Sequence, residues 1–331
     1  MLKINSKTIV YVVCPAFNKT GGTELEHQLV FELNKIGVKA FITYYDDNSP
    51  KINPAFEKYV SSYKEISDID DNENNILILP EIRVELLKKY KNIQKCVWWM
   101  SVDNYLKRNG FRNVVNNFGI LKAMKYIFFT SNARFFEPQV GEDVLNLYQS
   151  EYAHQFLLNK GFNNVARLSD YVNQDYIQKT NYIGSNRKNE VLYNPKKGIE
   201  YTKKLMLAAP ELTWRPIQGM TNSEVKTLLR SSKLYIDFGN HPGKDRFPRE
   251  AAISGCCVIT DKRGSAKYYK DIPIPEKYKI EDKDSNIQKI ISRIKDCLSN
   301  YEVCINDFES YRKYIANESE LFSEDVKKIF S

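Results

Sequence analysis

"TIVYVVCPAFNKTGGTELEHQLVFELNKIGVKAFITYY" (8–45) is the stretch that decides the fold. Its opening, "TIVYVVCP" (8–15), is an apolar run of strand length, rich in β-branched residues. "AFNKTGG" follows, then "TELEHQLVFELNKIG", in which Leu25, Leu29, Leu33 and Ile36 recur on one helical face. Thr23 and Glu26 have the spacing of a capping box, and Gly37 stands where a helix ends in a left-handed residue. "VKAFITYY" (38–45) is the next strand. Strand, helix and strand in that order, with a fully apolar first strand, make a βαβ unit on a parallel sheet.

The alternation runs on through the chain. Strands are expected at 75–80, 95–100, 125–131, 144–148 and 165–169, and a helix at 150–161 with Ser150 as N-cap and Gly161 as its stop. Polar "YVNQDYIQKTNYIGSNRKN" (171–189) has no sustained period and reads as a linker. Beyond it come strand 190–194, helix 198–209, strand 212–219, helix 223–231 and strand 233–239. A very short helix opening at Pro248, strand 256–260 and helices at 284–300 and 306–330 complete the pattern. The expected fold is α/β, with two Rossmann-like domains whose parallel sheets face a cleft. The N-terminal domain is expected over 1–172, a linker over 173–189, the second domain over 190–305, and a final helix, 306–331, crossing back to the first.

The 331 residues are enough for two domains of ordinary size. Hydrophobic residues are 42% and charged residues 27%, an ordinary globular balance, and no apolar run reaches membrane-spanning length. The six cysteines have no paired metal spacing and read as buried thiols in a reducing compartment, which places the protein in the cytoplasm. The net charge of +8 suits an anionic partner. Zinc-finger and RNA-binding signatures are absent from the sequence, so nucleic acid is not the expected one.

In open α/β sheets, ligands bind beyond the carboxyl ends of the strands. "TGGTE" (20–24) follows the first strand, where Gly21 and Gly22 let a ligand approach a helix N-terminus. The G-x-G-x-x-G spacing of a dinucleotide site is missing. "NPKKG" (194–198) holds the corresponding place in the second domain, with Lys196 and Lys197 as point charges for a diphosphate. It is expected to face "GKDRFPRE" (243–250), where Lys244 and Arg246 offer phosphate contacts and Glu250 can accept from the vicinal hydroxyls of a ribose. "WWMSVDNY" (98–105) ends a strand with Asp103, a candidate general base, and "ILPEI" (78–82) places Glu81 at another strand end. His27 and His154 lie within helices and read as structural. The stretch 104–137 has six basic residues and one acidic residue among many aromatics, a composition suited to an anionic membrane surface.

These motifs together resemble the GT-B glycosyltransferases that use nucleotide sugars. The resemblance rests on "GGTE", "YQSEYAHQFLLNKGFNNVARLSDYVN", "EVLYNPKKG", "SEVKTLLRSSKLYIDF" and "REAAISGCCVIT", and it spans the chain. It implies transfer of a sugar from a nucleotide donor to a glycan or lipid-linked acceptor, in surface polysaccharide or glycolipid synthesis, without metal or cofactor. Glu250 matches the second glutamate of that family's E-x7-E pattern. The first would fall on Pro242, so His241, Lys244 or Asp245 would have to stand in. Lys196 or Lys197, with Arg246 as partner, matches the basic pair that holds donor phosphates. The resemblance also implies a cytoplasmic protein, peripheral on the inner face of the membrane. A nucleotide-sugar epimerase and a non-catalytic sugar-nucleotide or glycan-binding module fit the same motifs.

Overall fold

The apolar run that opens the first βαβ unit forms β1 (Val10–Cys14), buried along its whole length. α1 (Gly21–Lys35) follows, and β2 (Ala40–Tyr44) pairs in parallel with β1, Val10 against Ala40 and Cys14 against Tyr44. The helix begins earlier than the Thr23–Glu26 spacing suggests. Thr20 is the N-cap: its Oγ1 accepts from the Thr23 backbone N–H at 3.3 Å, and Thr23 Oγ1 accepts from the Thr20 N–H at 2.9 Å. A second threonine closes the box where Glu or Gln usually does. Glu26, not needed for capping, is buried.

The computed structural model describes residues 2–108, 111–129, 143–177 and 186–331. They divide into two compact units, Met1–Asp170 with Glu320–Ser331, and Tyr171–Ser319. Residues 178–185 of the expected linker lie outside the described residues.

In the first unit β1 and β2 are joined by β3 (Tyr63–Glu65), β4 (Ile76–Pro80), β5 (Gln94–Trp99), β6 (Leu145–Tyr148) and β7 (Val165–Arg167). The sheet runs β3-β2-β1-β4-β5-β6-β7 with all its pairings parallel. Its growth reverses between β1 and β4, which makes the carboxyl ends of those two strands the switch point of the sheet. α2 (Val102–Arg108), α3 (Phe111–Phe118), α4 (Ile120–Phe129) and α5 (Glu151–Asn159) complete this part. Ser150 caps α5 by accepting from the Ala153 N–H at 3.1 Å, and Gly161 beyond it has φ +80°.

The strand expected at 125–131 is not formed; 120–129 is helical, and 130–131 lie outside the described residues. Gly119, at φ +85°, separates α3 from α4. Ile120, Ala123 and Met124 then recur at helical spacing, with Ala123 wholly buried. The place beside β5 is taken by β6, Cys96 pairing with Leu145. Trp98 and Trp99 are core residues: their indole N–H groups donate to Leu168 O at 3.0 Å and Asn146 Oδ1 at 2.9 Å.

The second unit contains β8 (Lys188–Tyr193), α6 (Ile199–Ala208), β9 (Thr213–Pro216), α7 (Asn222–Ser231) and β10 (Ser232–Asp237). α8 (Arg246–Ile253), β11 (Cys257–Thr260), α9 (Ile287–Ser299), α10 (Tyr301–Cys304) and α11 (Glu309–Ala316) follow. Its sheet is parallel, in the order β11-β10-β8-β9, and the switch point lies between β8 and β10. α8 opens at Arg246, two residues before the expected Pro248. The single helix expected over 306–330 is interrupted at Asn317, where α11 stops and α12 (Glu318–Phe330) starts.

Within the first unit, Phe322 of α12 stacks on Trp98 at 6.5 Å, and Asp325 accepts from the Ser169 N–H at 2.9 Å. Within the second, Glu318 is buried beneath two cations. Its Oε1 lies 2.7 Å from Lys244 Nζ, and its Oε2 lies 2.9 Å from Arg249 Nη1 and accepts from the Val172 N–H at 3.3 Å. All six cysteines are buried free thiols. Among the described residues, no helix is long and apolar enough to cross a membrane.

Removing one partner of a buried ion pair strands the other, at a cost of about 3–5 kcal/mol. Glu318→Gln is therefore expected to lower the unfolding free energy by about 3 kcal/mol or more, read as a shift in urea midpoint. A shift within about 0.5 kcal/mol, the range of ordinary surface changes, would contradict this reading of the cluster.

Candidate functional site

Loops following β8, β10 and β11 meet at the carboxyl edge of the second sheet. Glycine makes the approach possible. Gly198, at φ +58°, caps the start of α6, and a Cβ there would run into the Phe238 carbonyl after β10. Gly239 faces it, and a Cβ there would come within 2.6 Å of Lys197 Cβ. Gly264, at φ +53°, brings the loop after β11 against the His241 carbonyl, which accepts from the Ser265 N–H at 2.9 Å.

Around this convergence sits a group of charges centred on a buried histidine. His241 is 0% exposed. Its Nδ1 lies 2.9 Å from Asp245 Oδ2, and its Nε2 lies 3.5 Å from Asp261 Oδ1 and 3.7 Å from Asp237 Oδ1. Lys197 Nζ pairs with the same Asp245 Oδ2, and Arg263 Nε with Asp261 Oδ2 at 2.6 Å. Three carboxylates thus face two fixed cations, and a proton on His241 would balance the set. Burial alone would push the imidazole down, but Asp237, Asp245 and Asp261 outweigh it and hold the histidine above its ordinary value. Burial likewise pushes Asp245 up, and His241 and Lys197 reverse that, leaving it below the usual carboxylate range. Asp237, His241 and Asp245 also bring three possible metal-ligand atoms within 4.8 Å of one another. Their fit to a divalent ion is poor: Asp245 is engaged by Lys197, and Asp237 Oδ2 already accepts from the Tyr235 hydroxyl at 2.9 Å.

The expected meeting of "NPKKG" with "GKDRFPRE" is therefore present, through Lys197 and Asp245. Lys196 is exposed, its backbone N–H donating to Asn194 Oδ1 at 3.0 Å. Arg246 is the first residue of α8. Glu250, one helical turn on, is buried and hydrogen-bonded to the Tyr176 hydroxyl; burial and the Glu250 charge push that phenol well up, against Arg246 and Arg230. Two expected ligand residues are turned to other partners. The Lys244 ammonium is buried on Glu318, and His241 is enclosed by carboxylates, where the glycines at 239 and 264 let the loops approach closely. Asp245, expected only as a stand-in for the missing glutamate, is the residue that meets Lys197, whereas Tyr176 and Arg263 had no signal in the sequence.

The first sheet has a different constellation at its switch point. Gly21 and Gly22 open α1 there, and a Cβ on Gly22 would still lie 3.8 Å from Met100. Glu81 follows β4, is 3% exposed, and its Oε2 accepts from the Met100 N–H at 3.1 Å. Burial pushes its carboxyl up to about 7, against hydrogen bonds from the Met100, Glu81 and Ser101 backbone. Glu26 is pushed well above the usual range by burial, and the charge of Glu81 adds to this. Asp103 stands in the first turn of α2, where its Oδ1 accepts from the Tyr152 hydroxyl at 2.8 Å. His27 is structural. Its Nδ1–H donates to Thr23 O at 2.6 Å and its Nε2 accepts from the Tyr44 hydroxyl at 2.8 Å, and burial holds it neutral with a pKa of about 4.

No protein-family model and no curated protein matches the chain. Solved structures do. Sucrose-phosphate synthase from Thermosynechococcus elongatus aligns with TM-score 0.64 at 12% identity, over 97% of this chain and 98% of that one. HepE from Anabaena, in complex with UDP and glucose, aligns with TM-score 0.61 at 10% identity, over 97% and 98%. The chain has the GT-B glycosyltransferase fold. A variant of TarM from S. aureus, in complex with fondaparinux, α-GlcNAc-glycerol and UDP, aligns with TM-score 0.54 at 17% identity, over 80% of this chain. The match takes in 57% of the TarM chain's length.

A histidine whose pKa is raised by folding contributes stability that is fully present below its unfolded value, about 6.5, and is lost as pH rises through the folded value. The stability difference between the native protein and His241→Gln should therefore be largest at pH 6 and shrink above pH 7. Urea titrations of both proteins across pH 6 to 9 read this directly. A pH-independent difference would mean that folding leaves the His241 pKa unshifted, and a difference that grows with pH would mean that His241 is neutral in the native state.

Proposed function

We propose that this chain is a glycosyltransferase that moves a sugar from a nucleotide donor to a glycan or lipid-linked acceptor, in surface polysaccharide or glycolipid synthesis. The observation that carries the reading is the meeting of Lys197 with the start of α8, at the switch point of the second sheet. It gathers a lysine, Arg246 and a helix N-terminus into a natural seat for a diphosphate. Glu250, one turn along α8, is the group for the ribose hydroxyls, with Tyr176 orienting it. UDP is the nucleotide to try first, because TarM and HepE were both solved with it. No metal is needed in this reading: Lys197 and Arg246 supply the positive charge that a leaving diphosphate requires.

For the acceptor, Asp103 and Glu81 are the candidate bases in the first unit. If the enzyme inverts, Glu81 is favoured, since a carboxyl near pH 7 can both accept and release a proton at working pH. Phe118, Ile120, Leu121 and Met124 are exposed apolar residues close to Lys125, a surface that supports peripheral attachment to the cytoplasmic face of an anionic membrane. The rest of 104–137 includes residues outside the described ones.

Saturating UDP should raise the melting temperature by about 2–5 °C, and GDP, CMP and ADP by less. Lys197→Ala and Glu250→Ala should each remove most of that shift. An unchanged shift in both would sink the donor-site assignment. With a donor and a lipid extract as acceptor, mass spectrometry of the product separates transfer from epimerisation and from mere binding. In that assay Glu81→Gln is expected to lower kcat about 10²–10⁴-fold and to erase a rise in rate through pH 7. Should Asp103→Asn do so instead, the base is Asp103.

A further inference from the structure

Away from these sites, the segment after β11 runs along the open edge of the second sheet. Thr260 and Lys279 form a parallel bridge, and the Ile280 N–H donates to Thr260 O at 2.9 Å. Tyr278, wholly buried, anchors the segment by packing on Phe308 at 4.7 Å. The next residue is a lysine that is only 2% exposed. Burying an ammonium is unfavourable unless it is paired, yet Lys279 Nζ makes one hydrogen bond, to the Tyr268 carbonyl at 3.2 Å.

Lys279 lines a groove of about 460 Å³ together with Lys262, Lys277, Lys289, Arg293 and one acid, Glu276. Three of these cations are matched. Lys262 is paired with Glu276, Lys277 with Asp307 and Arg293 with Asp296, each at 2.6 Å. Among the described residues, neither Lys279 nor Lys289 has a carboxylate within ion-pair distance. Two lysines without an ion-pair partner, one of them buried, thus line one groove.

We propose that this groove binds the phosphate dianion of a phosphorylated ligand, with Lys279 and Lys289 as its two charge partners. Two unmatched ammoniums suit a dianion better than a single carboxylate, and a buried one contributes more than a surface one because water screens it less. The site lies in the second unit but is lined by none of the residues given to the nucleotide donor. Burial lowers Lys279 to about 8, with Glu276 and Asp271 raising it and Lys262 lowering it. A bound dianion favours the protonated form. Binding should therefore hold below pH 8 and weaken above it, by up to about tenfold per pH unit.

The probe is inorganic pyrophosphate, titrated by calorimetry into Lys197→Ala protein so that the proposed donor site does not report. Saturable binding at pH 7 is expected, weaker at pH 9 and not displaced by equimolar acetate. Lys279→Met, which keeps the packing volume, and exposed Lys289→Ala should each weaken it about 10- to 100-fold. Co-sedimentation with vesicles of equal parts phosphatidylcholine and phosphatidic acid distinguishes the source of the phosphate. Vesicle binding lost in Lys289→Ala identifies a lipid headgroup, and pyrophosphate binding without it identifies a soluble ligand. Absence of saturable pyrophosphate binding, or binding equal in the parent and both variants, overturns the proposal.

Discussion

The carboxyl edge of the second sheet depends on the charge balance around His241. Asp237 ends β10, Asp245 precedes α8 and Asp261 follows β11, so the three carboxylates come from three separate segments. Without a cation among them they would repel one another at distances where a low dielectric makes repulsion costly. Lys197 arrives from the loop after β8 and Arg263 from the loop after β11; His241 occupies the space left between them. The imidazole, within reach of all three carboxylates, thereby links the loops after β10 and β11, and Lys197 ties in the loop after β8 through Asp245. The glycines at 198, 239 and 264 are needed because those loops must approach closely enough for this balance to form.

The two sheets solve the same topological problem with opposite electrostatics. Each has a switch point, and each fills it with ionisable side chains. In the second unit, cations and anions are paired, so the carboxylate of Asp245 stays charged under burial. In the first, Glu26 and Glu81 are buried near each other, and backbone donors, a thiol and the charge of Arg108 do not offset burial, so burial moves their protons instead. A charged, paired edge is suited to holding an anion. An edge whose carboxyl changes charge near neutrality is suited to moving a proton.

Much of this was legible in the sequence because the signals were periodic. The first βαβ unit, the strand-like runs "NILILP" and "CCVIT" and the helix begun at Ser150 needed only hydrophobic spacing and caps. "KYIFFTS" misled because its β-branched and aromatic residues have strand propensity, while the helix it continues starts before it, just after Gly119. The capping box misled in a related way: Thr23 and Glu26 had the spacing, but Thr20 stood one turn earlier with a threonine partner of its own. Spacing could place the Lys196–Lys197 pair opposite the α8 loop, without choosing between the two. It could not show that Lys244 turns to Glu318, 74 residues along the chain, because that pairing depends on where α11 stops and α12 begins.

The same geometry bears on how Lys197 could serve a diphosphate while it is bound to Asp245. Moving a lysine from a buried carboxylate to a ligand ordinarily strands the carboxylate, and the cost of an unpaired buried charge would cancel the gain. Here Asp245 has a second partner, His241 Nδ1, 2.9 Å from the same oxygen. If the imidazole is protonated, Asp245 remains neutralised when Lys197 turns away, and the exchange is one ion pair for another. If it is neutral, Lys197 must stay to hold Asp245. In the proposed donor site, the protonation of buried His241 thus bears on whether Lys197 is free to act.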